Sequence, residues 1–229
     1  SLQIEMLAGA RRSGTVATLI PGTLEALLRE LAAGHPVVVL QNLGLSWAPS
    51  WHYAVAVGYE LDAGTILLRS GPMQRQTLAL RTFEHTWKRG GHWAFVALPA
   101  GTLAATASEA DATAALVAFE RSAPPAAAAT AYRAGLQRWP GSYTLQMGLG
   151  NASYAAGDLA GAEAAFAHAA DTHDQAAAHN NRARVLLELG RPAAARQAAQ
   201  RGLTVAGALR ATLLDTLQAI DAVMPASAR

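Results

Sequence analysis

The feature that most constrains this chain is a recurrence of small residues around one aromatic in its second half. Leu149-Gly150, Gly157, Ala162, Phe166 and Ala169 set a pattern that returns with a period of roughly 34 residues. One period earlier, Ala128, Tyr132 and Gly135 stand where Ala162, Phe166 and Ala169 do, and Pro140 closes the unit. About one period later come Gly190, Ala195 and Ala199. The reason is steric: small residues let two helices approach closely, and the aromatic fills the space between neighbouring pairs. Beyond Asp111 no strand signal survives, and apolar residues recur every three or four positions, as a helix requires. A chain written this way is confined to stacked helix pairs or, as the alternative, to a plain alanine-rich bundle. Two positions depart from the pattern. Tyr154 lies one place past the aromatic position of the repeat family that this pattern resembles, and Asp174 stands where a proline would close the unit. Residues 209–223 read as a capping helix, giving three units and a cap.

The first half is written differently. Residues 2–12 read as a helix end and 16–20 as a short strand stopped by Pro21-Gly22. Thr23 caps a helix over 24–33 that exits at Gly34. Residues 37–41 form a β-branched run expected to be buried on both faces. Residues 52–59 and 65–70 read as a hairpin, 76–80 as a further strand, 81–87 as a short helix and 92–98 as a closing strand. Antiparallel hairpins with helices point to an α+β fold. The expected organisation is an α+β domain over 1–98, a linker over 99–111 rich in small residues, and a helical repeat domain over 112–229.

Composition narrows the chemistry. Hydrophobic residues make up 52% of the 229 and charged residues 15%, enough to bury a core. The net charge of +2, with no long basic run, gives no footprint for nucleic acid. No apolar stretch is long enough to span a bilayer. Cysteine is absent, which excludes disulfides, thiolate metal sites and a cysteine nucleophile within these residues. Ser1 is not a methionine and no leader follows it, so the native start is expected to lie elsewhere.

One segment can carry chemistry. Alternation along 51–59 places Val55, Val57 and Tyr59 on one face of a strand and His52, Ala54, Ala56 and Gly58 on the other. A face that is small except for one histidine suits a closely packed helix, and it sets the imidazole at the strand's start as a candidate general base. The plain reading is a strand-end histidine beside Trp51. A loop of about five residues between Gly58 and Gly64 would bring Ser70 directly across from His52; a tighter turn would offset it but keep it on the same face. Gln41, Asn42 and Trp51 are further candidates for the same cleft. His85 and His92 lack a third ligand, so no metal is expected, and no motif calls for a cofactor. His168, His173 and His179 share no helix face and are expected at the surface. Trp47, Trp51, Trp87 and Trp93 are expected in the core.

The second half resembles the tetratricopeptide repeat. In the first half, Gly-His-Pro-Val-Val-Val-Leu over 34–40, His-Tyr-Ala-Val-Ala-Val-Gly-Tyr over 52–59 and Ile-Leu-Leu-Arg-Ser-Gly over 66–71 resemble the bacteriocin-processing, double-glycine type of papain-superfamily cysteine peptidase. More narrowly, the chain is similar to bacterial proteins that join such a domain to tetratricopeptide repeats. The resemblance implies a cysteine thiolate at a helix start, a histidine paired with it, an Asp or Asn that orients the ring, and an upstream glutamine at the oxyanion. His52 stands at the histidine position and Ser70 at the aspartate position. The cysteine and glutamine lie before Ser1 or are missing. If their helix is missing, the small face of the His52 strand is expected to be uncovered.

Three functions follow as expectations. One is a peptidase-like protein that cleaves peptide bonds, its repeats recruiting a substrate or partner. Another is a non-catalytic peptide-binding domain on the same fold, and a third treats the repeats as the main function, a protein-binding scaffold. The resemblance implies a bacterial, extracytoplasmic setting; the oligomeric state is open.

Overall fold

The structure is a computed structural model, and it describes residues 2–45 and 47–224. It divides into two compact units, Ser1–Ala123 and Pro124–Arg229.

The first unit contains α1 (Leu2–Arg12), β1 (Val16–Leu19), α2 (Leu24–Ala32), β2 (Val37–Asn42), β3 (Trp51–Glu60), β4 (Thr65–Ser70), β5 (Met73–Ala79), α3 (Leu80–Arg89), β6 (Ala94–Leu98) and α4 (Glu109–Glu120). The strands form one sheet in the order β1-β6-β2-β3-β4-β5, with every described pair antiparallel. β2 runs through its middle, and Val37, Val39 and Leu40 are all buried, so the β-branched run is covered on both faces as expected. Thr23 caps α2, its hydroxyl accepting from the Ala26 N–H at 3.2 Å. Phe83 and Trp87 of α3 are fully buried and stacked, and Trp87 Nε1–H donates to the Trp93 carbonyl. Burying each such side chain contributes about 2–3 kcal/mol. That burial holds a ten-residue helix in place although its Ala79 cap gives no side-chain bond.

The expected linker over 99–111 is fastened to the first unit. Glu30 of α2 has no solvent-exposed surface, and its carboxylate accepts from Ala105 N–H, Thr106 N–H, the Thr106 hydroxyl and His35 Nδ1 at 2.6–3.0 Å. Burial alone would raise its pKa. The bonds from Thr106, His35 and Ala105 reverse that and hold the carboxyl below the usual glutamate value. α4 also differs from expectation: it packs on β1 and belongs to the first unit, with Ala112, Ala115, Leu116 and Phe119 buried.

The second unit is all helical: α5 (Pro125–Arg138), α6 (Tyr143–Ala155), α7 (Leu159–His173), α8 (Ala176–Glu188), α9 (Pro192–Thr204) and α10 (Arg210–Val223). Consecutive helices pack on one another throughout. Ala162 is fully buried and Phe166 is 2% exposed. A Cβ placed on Gly150 would run into the Phe166 ring, and one on Gly148 into the Tyr132 ring. Gly148 was not in the expected pattern, yet it serves the earlier aromatic as Gly150 serves the later one.

Asp174, where a proline was looked for, ends α7 in a left-handed conformation with φ 46°. Its carboxylate lies 2.8 Å from His179 Nε2 and also accepts from Arg201. The His179 bond, with Arg201, holds its pKa below the usual aspartate value. His179 is therefore buried rather than at the surface, because α8 turns it inward onto the residue that stops α7.

Candidate functional site

β3 supplies His52 and β4 supplies Ser70, and their pairing depends on a bulge. Near the turn the register is Glu60↔Thr65, Tyr59↔Ile66 and Gly58↔Leu67; beyond it the register is Ala56↔Leu68 and Val55↔Arg69. Val57 is the extra residue. Continued without it, the ladder would set Ser70 opposite Val55, on the far face from His52. With it, Ser70 falls opposite Ala54, on the face that carries His52. The loop is tighter than five residues, so Ser70 is offset diagonally along the strand. The side chains still meet: His52 Nε2 and Ser70 Oγ are 2.7 Å apart. Ser70 is buried, His52 is half-buried, and His52 Nδ1 has no hydrogen-bond partner among the described residues.

The neighbouring strand adds a second polar pair on this face. Gln41 lies directly across from His52 in the β2–β3 ladder. It is 2% exposed, and its Nε2 donates to Thr86 Oγ1 of α3 at 2.6 Å, while the Thr86 hydroxyl donates to the Phe83 carbonyl. Thr86 was not singled out in the sequence. Its signal was available in its one-turn spacing from Phe83, on the buried side of α3.

The other two cleft candidates are not brought to His52. Asn42 Oδ1 accepts from Gly44 N–H and Ser50 N–H, so Asn42 fixes the loop between β2 and β3. Trp51 neighbours His52 in sequence, and strand alternation turns it to the opposite face. It is 58% exposed and Trp47 is 80% exposed, whereas Trp87 is fully buried and Trp93 half-buried. The expectation of four core tryptophans thus fails for the two in or beside the β2–β3 loop.

The small face of β3 is covered. Ala54 and Ala56 are 2% and 0% exposed, and α2 lies close against β3. Among the described residues this face is thus not uncovered as expected, because the small side chains at 54 and 56 leave room for close packing. His85 and His92 gather no third ligand: among the described residues, no group of three metal-binding side chains occurs. No described helix is long and apolar enough to cross a membrane.

What the geometry can do follows from the imidazole's two nitrogens. Nε2 is engaged by Ser70, and Nδ1 keeps its capacity to take or give a proton at the strand's start. The oxygen of Ser70 can accept from Nε2–H, but as a neutral group it stabilises an imidazolium less than a carboxylate would.

Residues 8–95 match the Peptidase_C39 like family. No curated protein matches the chain in sequence. Among solved structures it is similar to the type III secretion translocator chaperone SycD of Yersinia enterocolitica, at 17% identity and TM-score 0.45, over 48% of this chain and 81% of that one. SycD in complex with a peptide of the translocator YopD gives 17% and 0.47, over 51% and 95%. A tetratricopeptide protein of Thermus thermophilus, TTC0263, gives 21% and 0.39, over 46% and 60%. Residues 8–95 are thus similar to the Peptidase_C39 like family, and the second unit is a run of consecutively packed helices spaced by small residues.

Proposed function

We propose that the first unit is the histidine-bearing part of a cysteine-peptidase-like domain that hydrolyses peptide bonds, and that the helical array recruits the substrate or a protein partner. The observation that carries this reading is the 2.7 Å contact between His52 Nε2 and Ser70 Oγ, which leaves Nδ1 unengaged. In the proposed step Nδ1 takes the proton of a cysteine thiol supplied from outside these 229 residues. The thiolate attacks the scissile carbonyl, and the imidazolium returns the proton to the leaving amine. Water then releases the acyl group. Ser70 acts as a positioning residue, holding the ring by its other nitrogen. The bacterial, extracytoplasmic setting implied by the sequence resemblance belongs to the same proposal.

The test has two arms. The gene ahead of Ser1 should encode a glutamine followed by Cys-Gly-Pro at a helix start. In the longer product His52→Ala should lower peptidase activity at least about a hundredfold, the usual order of effect for loss of a general base. Unchanged activity in that variant would remove His52 from the mechanism. The second reading, a peptide-binding domain without hydrolysis, is favoured by the neutral Ser70 at the orienting position. An upstream sequence without the cysteine would establish that reading in place of the first.

A further inference from the structure

The face of the sheet turned away from His52 carries a second concavity. Leu2 of α1, Leu40 of β2, Trp51 and Tyr53 of β3, Arg89 at the end of α3 and Gly90 after it line a mostly apolar cleft of about 490 Å³. Its volume falls in the range of ligand-binding pockets. Part of its wall is bare backbone. Gly90 and Gly91 of its lining carry no side chain, and a Cβ on Gly90 would run into the Leu40 carbonyl, so this backbone packs directly against β2. Leu2 and Trp51 are each more than half exposed, and Leu43, Leu45 and Trp47 of the adjoining loop are exposed as well. A concave apolar lining with exposed leucine and tryptophan at its rim is the kind of surface that takes a partner.

Charge decides what fits. Among the described residues no carboxylate lines the cleft. Arg89 forms part of its lining, and Arg89, Lys88 and His85 line an adjoining depression on the exposed side of α3. Among the described residues neither Arg89 nor Lys88 has an ion-pair partner. We propose that this cleft docks an extended peptide that presents a bulky apolar side chain next to an Asp or Glu. The apolar residue fills the space between Leu40, Trp51 and Tyr53, the peptide backbone runs along Gly90, and the carboxylate pairs with Arg89. The site is separate from His52 and does not depend on hydrolysis. A bilayer surface also favours tryptophan beside cations, but a recessed pocket walled by backbone suits a peptide better than a flat interface.

The test uses the full chain labelled with ¹⁵N and two acetylated, amidated pentapeptides, Gly-Phe-Glu-Gly-Ser and its counterpart with lysine for glutamate. The glutamate peptide should shift the amides of Gly90 and Gly91 and the Trp51 indole, and the lysine peptide should bind at least tenfold more weakly. Arg89→Glu, at an exposed position that leaves the spectrum otherwise unchanged, should reverse that order. Equal binding of the two peptides, shifts located elsewhere, or no shift at millimolar peptide would overturn the proposal. So would a chain that ignores both peptides and pellets with phosphatidylglycerol vesicles.

Discussion

Phe166→Ala should lower the stability of the helical array by about 3–5 kcal/mol, the range for removing a buried aromatic. The ring is almost fully enclosed, packed with Ala162 and Val185 and flanked by Met147, Leu159 and Leu189. It also lies against Gly150, where no Cβ can be accommodated. The cavity cannot collapse easily, because the helix pairs on both sides are spaced by other small residues, including Ala169 and Ala195. The reciprocal change tests the same contact from the other side. Gly150→Val should be destabilising although glycine is the poorer helix former, because the ring has no room to move. Urea unfolding of the full chain, followed by far-ultraviolet circular dichroism, reads both. A loss below about 1 kcal/mol for Phe166→Ala would mean that the aromatic does not join the helix pairs.

Glu30→Ala should have an effect of similar size on the first unit, about 3–5 kcal/mol, lowering its melting temperature by about 10–20 °C. The substitution leaves the donors of Ala105, Thr106 and His35 without their acceptor. It also releases the segment between β6 and α4. The pH dependence has a definite sign. The folded pKa of Glu30 is lowered from its ordinary value of 4.5, so its contribution is fully present above that value and fades as pH falls through the folded pKa. The melting-temperature difference between the native chain and Glu30→Gln should therefore be constant from pH 7 to about 5 and shrink in more acid solution. A difference that grows on acidification would contradict a carboxylate held ionised by its hydrogen bonds.

Much of this was legible in the sequence because the signals were local. Thr23, Gly34 and the β-branched run of β2 punctuate their elements by short-range chemistry, and each lies where its residue type predicts. The recurrence of Ala128, Ala162 and Ala195 was equally readable, since helix packing needs small residues at fixed intervals. What escaped was set by distant contacts. The tie between Glu30 and Thr106 joins residues far apart in sequence, so residues 99–111 read as a linker on composition alone. α4 reads as the first helix of the array from its alanines, and only its packing on β1 assigns it to the first unit. His179 looked like a surface residue because its partner Asp174 stands in a position usually held by proline. In the candidate site, alternation through the observed turn would have set Ser70 on the face away from His52, so a tighter turn alone does not keep the two together; the Val57 bulge restores the shared face and has no signature in one sequence. The opposite orientation of Trp51 followed from the same alternation and sets that residue apart from the His52 cleft.

The central claim is that Ser70 holds His52 by Nε2 and leaves Nδ1 as the base, and long-range ¹H–¹⁵N correlation of the histidine rings tests it directly. In the 229-residue chain, with His52→Gln used to assign the signal, neutral His52 should be the Nε2–H form with an unprotonated Nδ1. Ser70→Ala should convert that single form into a mixture of both. A proton found on Nδ1 in the native chain, or a His52 signal indifferent to Ser70→Ala, would contradict the account.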